Sequence, residues 1–186
     1  MDQTGWRAAL LAVAMLGLVQ GAAAQAKPAA PKKKMPYEVQ QHIAGLAKTC
    51  VDLGGKPNKS PGLLSLVDLN GDGIADYVID VTQFNCEGAG ASAFTNGRSG
   101  SDLSVYAGTP DGHARKAFAG SVYSVQLDKV AQPPKLVVGV AGLACGQKNA
   151  ASLPFSAVKS CERALVWDGM KKVLVLGPTL PPKASK

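Results

Sequence analysis

The sequence predicts an α+β domain: an N-terminal helix packed on a mainly antiparallel β-sheet of about six to eight short strands. Three observations carry this expectation. Val39, Ile43, Leu46 and Cys50 recur at spacings of four, three and four, an apolar stripe of helical period. After Gly54-Gly55 the pattern changes to short β-branched runs separated by turn residues, as in an antiparallel sheet. The chain that follows its leader holds about 160 residues, enough for one domain with a real core and too few for two.

The leader is residues 1–24, which read as a signal peptide. A short polar stretch carrying Arg7 precedes an apolar run from Ala8 to Val19 and then small residues at Gly21, Ala22, Ala23 and Ala24. That order places cleavage after Ala24, with Ala26 as the alternative. The run is too short for a transmembrane helix, which needs roughly 20 apolar residues. No second apolar span follows, so no membrane span is expected in the mature chain. Residues 25–36, with three prolines, four lysines and no apolar period, are expected to be a disordered lead-in.

The folded domain is expected over 37–177. Pro36 suits the first turn of a helix, and Gly54-Gly55 ends it. Leu63–Val67 and Tyr77–Phe84 follow as strands, with Tyr77, Ile79 and Val81 on one face and Val78 and Asp80 on the other. Gly88, Gly90, Gly97 and Gly100 predict an irregular loop over 86–100. Strand-like runs come next at Ser101–Ala107, around Ala117, at Val122–Leu127, at Lys135–Ala141 and at Ala164–Trp167. Asp168-Gly169, both tolerant of positive φ, predicts a hairpin into a last strand, Val173–Leu176. Residues 178–186 are expected to be a disordered tail.

The net charge of +7 is misleading as a guide to partners. Lys27, Lys32, Lys33, Lys34, Lys183 and Lys186 lie in the tails, and residues 37–177 hold 13 basic against 12 acidic side chains. Nucleic-acid binding wants basic residues interleaved with aromatics on one face, so no nucleic-acid partner is expected. Cys50, Cys86, Cys145 and Cys161 are an even set in a chain that leaves the cytosol, which predicts two disulfides. Cys50 with Cys86 and Cys145 with Cys161 is the favoured pairing, because the second pair brackets one loop between two neighbouring strands. The other two connectivities stay open.

One stretch carries specific chemistry. Asp68-Leu69-Asn70-Gly71-Asp72-Gly73-Ile74-Ala75-Asp76 spells D-x-N-x-D-G-x-x-D. Side-chain oxygens at positions 1, 3, 5 and 9, a turn-forming Gly at 6 and a backbone carbonyl at 7 are the means of wrapping a hard cation such as Ca²⁺. An EF-hand needs a bidentate Glu at position 12, where this chain has Ile79, and the flanking residues are strand-like. The stretch from Leu66 to Ile79 resembles the calcium loops of FG-GAP and VCBS-type repeats of secreted and surface proteins. That resemblance implies Asp68, Asn70, Asp72, Ile74 and Asp76 as ligands of a structural calcium ion. It spans some fifteen residues in a single copy, so the repeat fold does not carry over. The wider layout also resembles small uncharacterised secreted bacterial proteins. A separate argument comes from charge: no Lys or Arg stands between Lys59 and Arg98, while Asp68, Asp72, Asp76, Asp80 and Glu87 all do. Carboxylates converging on one turn repel each other unless something positive sits among them. The competing reading is a set of Asx turns with the carboxylates splayed into water.

No catalytic motif stands out. His42 and His113 have no recognisable nucleophile beside them in sequence, and Trp167, Tyr77, Tyr106 and Tyr123 are candidates for a ligand surface. The resulting expectation is a non-enzymatic, calcium-stabilised binding or structural module of the periplasm or extracellular space, with an envelope polymer or protein as partner. The alternative is a small secreted hydrolase in which acidic residues such as Asp102, Asp111, Asp128 and Glu162 converge in the fold.

Overall fold

The computed structural model describes residues 34–181; the expected signal peptide, the lead-in up to residue 33 and the tail beyond residue 181 lie outside the described residues. Helix α1 spans Tyr37–Asp52. Pro36 sits one residue ahead of its first turn, with extended backbone, and its carbonyl accepts the first helical bond from Gln40 N at 3.1 Å. The apolar stripe faces inward: Val39 and Cys50 are buried, and Ile43 and Leu46 pack beside them. The helix stops where Gly54 turns to φ +77° and Gly55 N donates back to Cys50 O at 2.9 Å, a left-handed exit that suits glycine.

Ten strands follow: β1 (Lys56–Pro57), β2 (Leu64–Val67), β3 (Asp76–Asp80), β4 (Cys86–Glu87), β5 (Ser101–Gly108), β6 (Ala114–Val122), β7 (Ser124–Asp128), β8 (Lys135–Ala141), β9 (Ser160–Asp168) and β10 (Val173–Thr179). They form three antiparallel sheets and not the single sheet expected: β2-β3-β5-β6, β10-β9-β8-β7, and a short β1-β4 ribbon. The division comes at Tyr123. Val122 still pairs with Ser101 in the first sheet, whereas Tyr123 N donates to Gly139 O and Ser124 pairs with Gly139 in the second. One residue thus carries the chain from sheet to sheet.

The two four-stranded sheets share one core. Val78, Leu103, Val105 and Val122 from the first meet Leu136, Val138, Val140, Leu165 and Leu174 from the second, with Leu69 added from the acidic loop. The opposite face of the first sheet, with Tyr77, Ile79 and Tyr106, packs on Val39 of α1. At about 1.5–3 kcal/mol for each buried aliphatic side chain, against about 1 kcal/mol for a hydrogen bond, burial is what joins the layers. The alternation expected in β3 is present, and because both faces are covered all five of its residues are buried.

Local departures from expectation have local causes. β3 ends at Asp80 and not at Phe84, since the Asp80 carboxylate takes Thr82 N at 3.0 Å and starts a 3₁₀ turn, Val81–Gln83. Asp168-Gly169 does not form a two-residue turn: Val173 pairs with Asp168, the Asp168 carboxylate accepts from Met170 N and Lys171 N, and the positive φ falls on Lys172. β10 runs on to Thr179, two residues past Gly177, with Thr179 opposite Arg163. The cysteines pair as Cys50–Cys86 and Cys145–Cys161. The second bond closes the loop between the neighbouring strands β8 and β9. No helix among the described residues is long and apolar enough to cross a membrane.

Candidate metal centre

The acidic loop joins β2 to β3 at one end of the first sheet. It folds by turning its own side chains onto its backbone. Asp68 accepts from Gly71 N at 2.7 Å through Oδ1 and from Gly73 N at 2.8 Å through Oδ2. Asn70 Oδ1 accepts from Asp72 N at 2.9 Å, and Asp72 Oδ1 from Ile74 N at 2.8 Å. The Asn70 amide donates to the other oxygen of Asp72 at 3.0 Å. Successive Asx bonds of this kind require left-handed backbone between them, and Gly71 and Gly73 both lie at φ +79°.

Asp76 behaves differently from the other two carboxylates. It opens β3, is 1% exposed, and accepts from Leu69 N at 2.9 Å and Gly108 N at 3.1 Å. It therefore clamps the start of the loop to the end of β5. Gly108 permits the approach, because a Cβ there would lie 2.4 Å from the Ala75 carbonyl oxygen. Fixing Leu69 N also directs the Leu69 side chain, 6% exposed, into the core between the sheets. Burial pushes the Asp76 carboxyl up to about 6; its two backbone donors oppose this, and the charges of Asp72 and Asp68 add to it. None of the three ion pairs among the described residues involves the loop.

The donor set suits a hard cation: oxygen throughout, carboxylates in three of five positions, and no competing ammonium or guanidinium. Its present arrangement is that of Asx turns. No three His, Cys, Asp or Glu side chains among the described residues stand close enough to share one ion. The residues that sequence reasoning missed are Leu69, read only as a spacer, and Gly108, which lies 32 positions from Asp76. Leu69 carried a signal in its apolar character within an otherwise polar turn. Gly108 carried none.

The remaining candidates are dispersed. His42 Nδ1 lies 3.1 Å from the Tyr106 hydroxyl, and burial, then Lys116, holds its imidazole below the usual range. His113 pairs with Glu38 at 3.0 Å. Asp102 is bonded to Asn96, Asp111 to Thr109, and Asp128 to Val130 N, while Glu162 meets Gln126 at 3.4 Å, so each acid is engaged at its own place. The aromatic surface does not form: Tyr77 and Tyr106 are in the helix-side core and Trp167 packs against the core between the sheets. Tyr123 alone stays 38% exposed, at the meeting of two clefts of about 700 and 540 Å³ that also share Val140. Glu162 is the one carboxylate lining them.

Fold and loop together define a class: a disulfide-braced pair of antiparallel sheets with a helix on one outer face and one acidic strand-to-strand loop. No protein-family model, curated protein or solved structure matches the chain.

Proposed function

We propose that this chain is an exported, non-enzymatic binding or structural module of the periplasm or extracellular space, stabilised by one calcium ion in the loop Asp68–Asp76. Asp68, Asn70, Asp72 and Asp76 would hold the ion with side-chain oxygens and Ile74 with its carbonyl, and the ion would supply positive charge and no reaction step. The observation that carries the reading is the spacing of Asp68, Asn70, Asp72 and Asp76 within one nine-residue strand-to-strand loop, with which no basic side chain among the described residues forms an ion pair. Export is supported by the leader and by two disulfides, which persist in oxidising compartments. A binding role is supported by the clefts at Tyr123, whose lining carries one carboxylate, Glu162, where paired-carboxylate hydrolysis uses two.

The test is thermal unfolding of the protein with calcium and with chelator. A flexible site of this kind binds at about 0.1–1 mM. At about 1 mM calcium and a Kd of about 0.1 mM, linkage adds about 1.4 kcal/mol, or about 3–6 °C in Tm for a domain of this size. Asp72→Ala is expected to abolish the shift. An unchanged Tm at several millimolar calcium would refute the metal site while leaving the disulfide-braced module standing.

A further inference from the structure

Asp80 is a buried carboxylate that the fold leaves half used. It closes β3 on the face that looks toward the second sheet, two residues after core-lining Val78, and is 7% exposed. Its Oδ1 accepts from Thr82 N at 3.0 Å and from Thr82 Oγ1 at 2.6 Å. Among the described residues nothing donates to Oδ2, and no Lys, Arg or His pairs with the side chain. Asp80 lines a cleft of about 220 Å³ where the two sheets part between β2 and β7. Ser65 and Gln83 are its other polar lining groups, and Val78, Val125, Leu127 and Leu136 form apolar walls.

Thr82 engages only Oδ1, so Oδ2 keeps its contact with water through the cleft and is open to a donor and a positive charge that enter there. Here the charge is offered to whatever enters the cleft. An ammonium group answers both needs: its charge would pair with Oδ2, and Ser65 and Gln83, which line the same cleft, offer acceptors for its remaining N–H groups. The walls then favour an aliphatic chain behind it. The cleft is smaller than the roughly 300 Å³ at which sites for drug-sized ligands begin, which limits that chain to about four carbons. We propose that this cleft binds a free primary alkylamine, its ammonium on Asp80 and its chain between the two sheets. The site is separate from the acidic loop and does not rest on the calcium reading.

The experiment is an NMR titration of the full chain with ethyl-, propyl- and butylammonium, run once in calcium and once in chelator. Saturable shifts are expected at the amides of Ser65, Asp80 and Gln83, with a Kd of about 1 mM for butylammonium and about fourfold tightening for each added methylene. Asp80→Asn keeps an oxygen for the Thr82 bonds and is expected to fold normally while losing at least tenfold in affinity. Ser65→Phe, at an exposed position on the rim, is expected to block entry without disturbing the core. Absence of saturable shifts up to about 50 mM amine would overturn the proposal. So would equal affinity in both variants, or affinity that ignores chain length.

Discussion

At the scale of single residues, Asp76 does more than its place in the motif implies. Its two oxygens hold Leu69 N and Gly108 N, so Asp76→Asn replaces one acceptor by an amide that faces a donor. An unpaired buried group costs about 1–3 kcal/mol, and urea unfolding in chelator is expected to show a loss of that size for Asp76→Asn. A neutral result would mean that the clamp bears no weight. The motif itself was legible, because its chemistry lies within nine neighbouring positions; the burial of Asp76 was not, because it depends on a strand 32 residues on. A second residue-scale device joins α1 to the β5–β6 turn. Glu38 sits below the usual carboxyl range through its own backbone bond and then His113, while His113 is raised by its bond to Glu38. The lowered acid stabilises the fold above its ordinary value of 4.5 and loses that contribution as pH falls through its folded value. The raised imidazole stabilises below 6.5 and loses its contribution as pH rises through its folded value. The difference in Tm between wild type and His113→Ala is therefore expected to be largest between pH 4.5 and 6.5 and to shrink on either side.

At the scale of elements, what could be read in advance was whatever repeats locally. The helical stripe and the two faces of β3 were visible because each repeats within a few residues, and β5 and β8 were visible as strand-like runs. β1 and β4 were not, being two residues each; they pair where the Cys50–Cys86 bond brings Cys86 to the end of α1. This disulfide spans 36 positions and Cys145–Cys161 spans 16. The chain-entropy treatment assigns them about 4 and about 3 kcal/mol respectively. Replacing Cys50 and Cys86 by Ala is expected to lower the free energy of unfolding more than replacing Cys145 and Cys161, as measured by denaturant titration. The reverse order would show that strain or residual structure outweighs loop length. The hairpin at Asp168 adds a caution: the residues that permit a turn were recognised, but the carboxylate bonds to Met170 N and Lys171 N selected a longer one.

At the scale of the whole molecule, periodicity says which side chains share a face and not what covers it. Val78, Leu103 and Val138 alternate as any half-buried strand residues would, and nothing in their spacing announces a second sheet. The change of sheet at Tyr123 is equally silent, since a strand that leaves one ladder for another keeps its alternation. The result is a layered molecule in which β3 lies between α1 and the second sheet, with every residue buried. Seen from the solvent, that strand is the farthest point inward, and water reaches its backbone only when a layer lifts away. In heavy water its amides should be the last to take up deuterium, at the rate set by global opening, while the edge strands β2 and β7 exchange through smaller local fluctuations. Early labelling of β3 in a mass-resolved exchange experiment would mean that the helix detaches far more readily than its packing on Tyr77, Ile79 and Tyr106 implies.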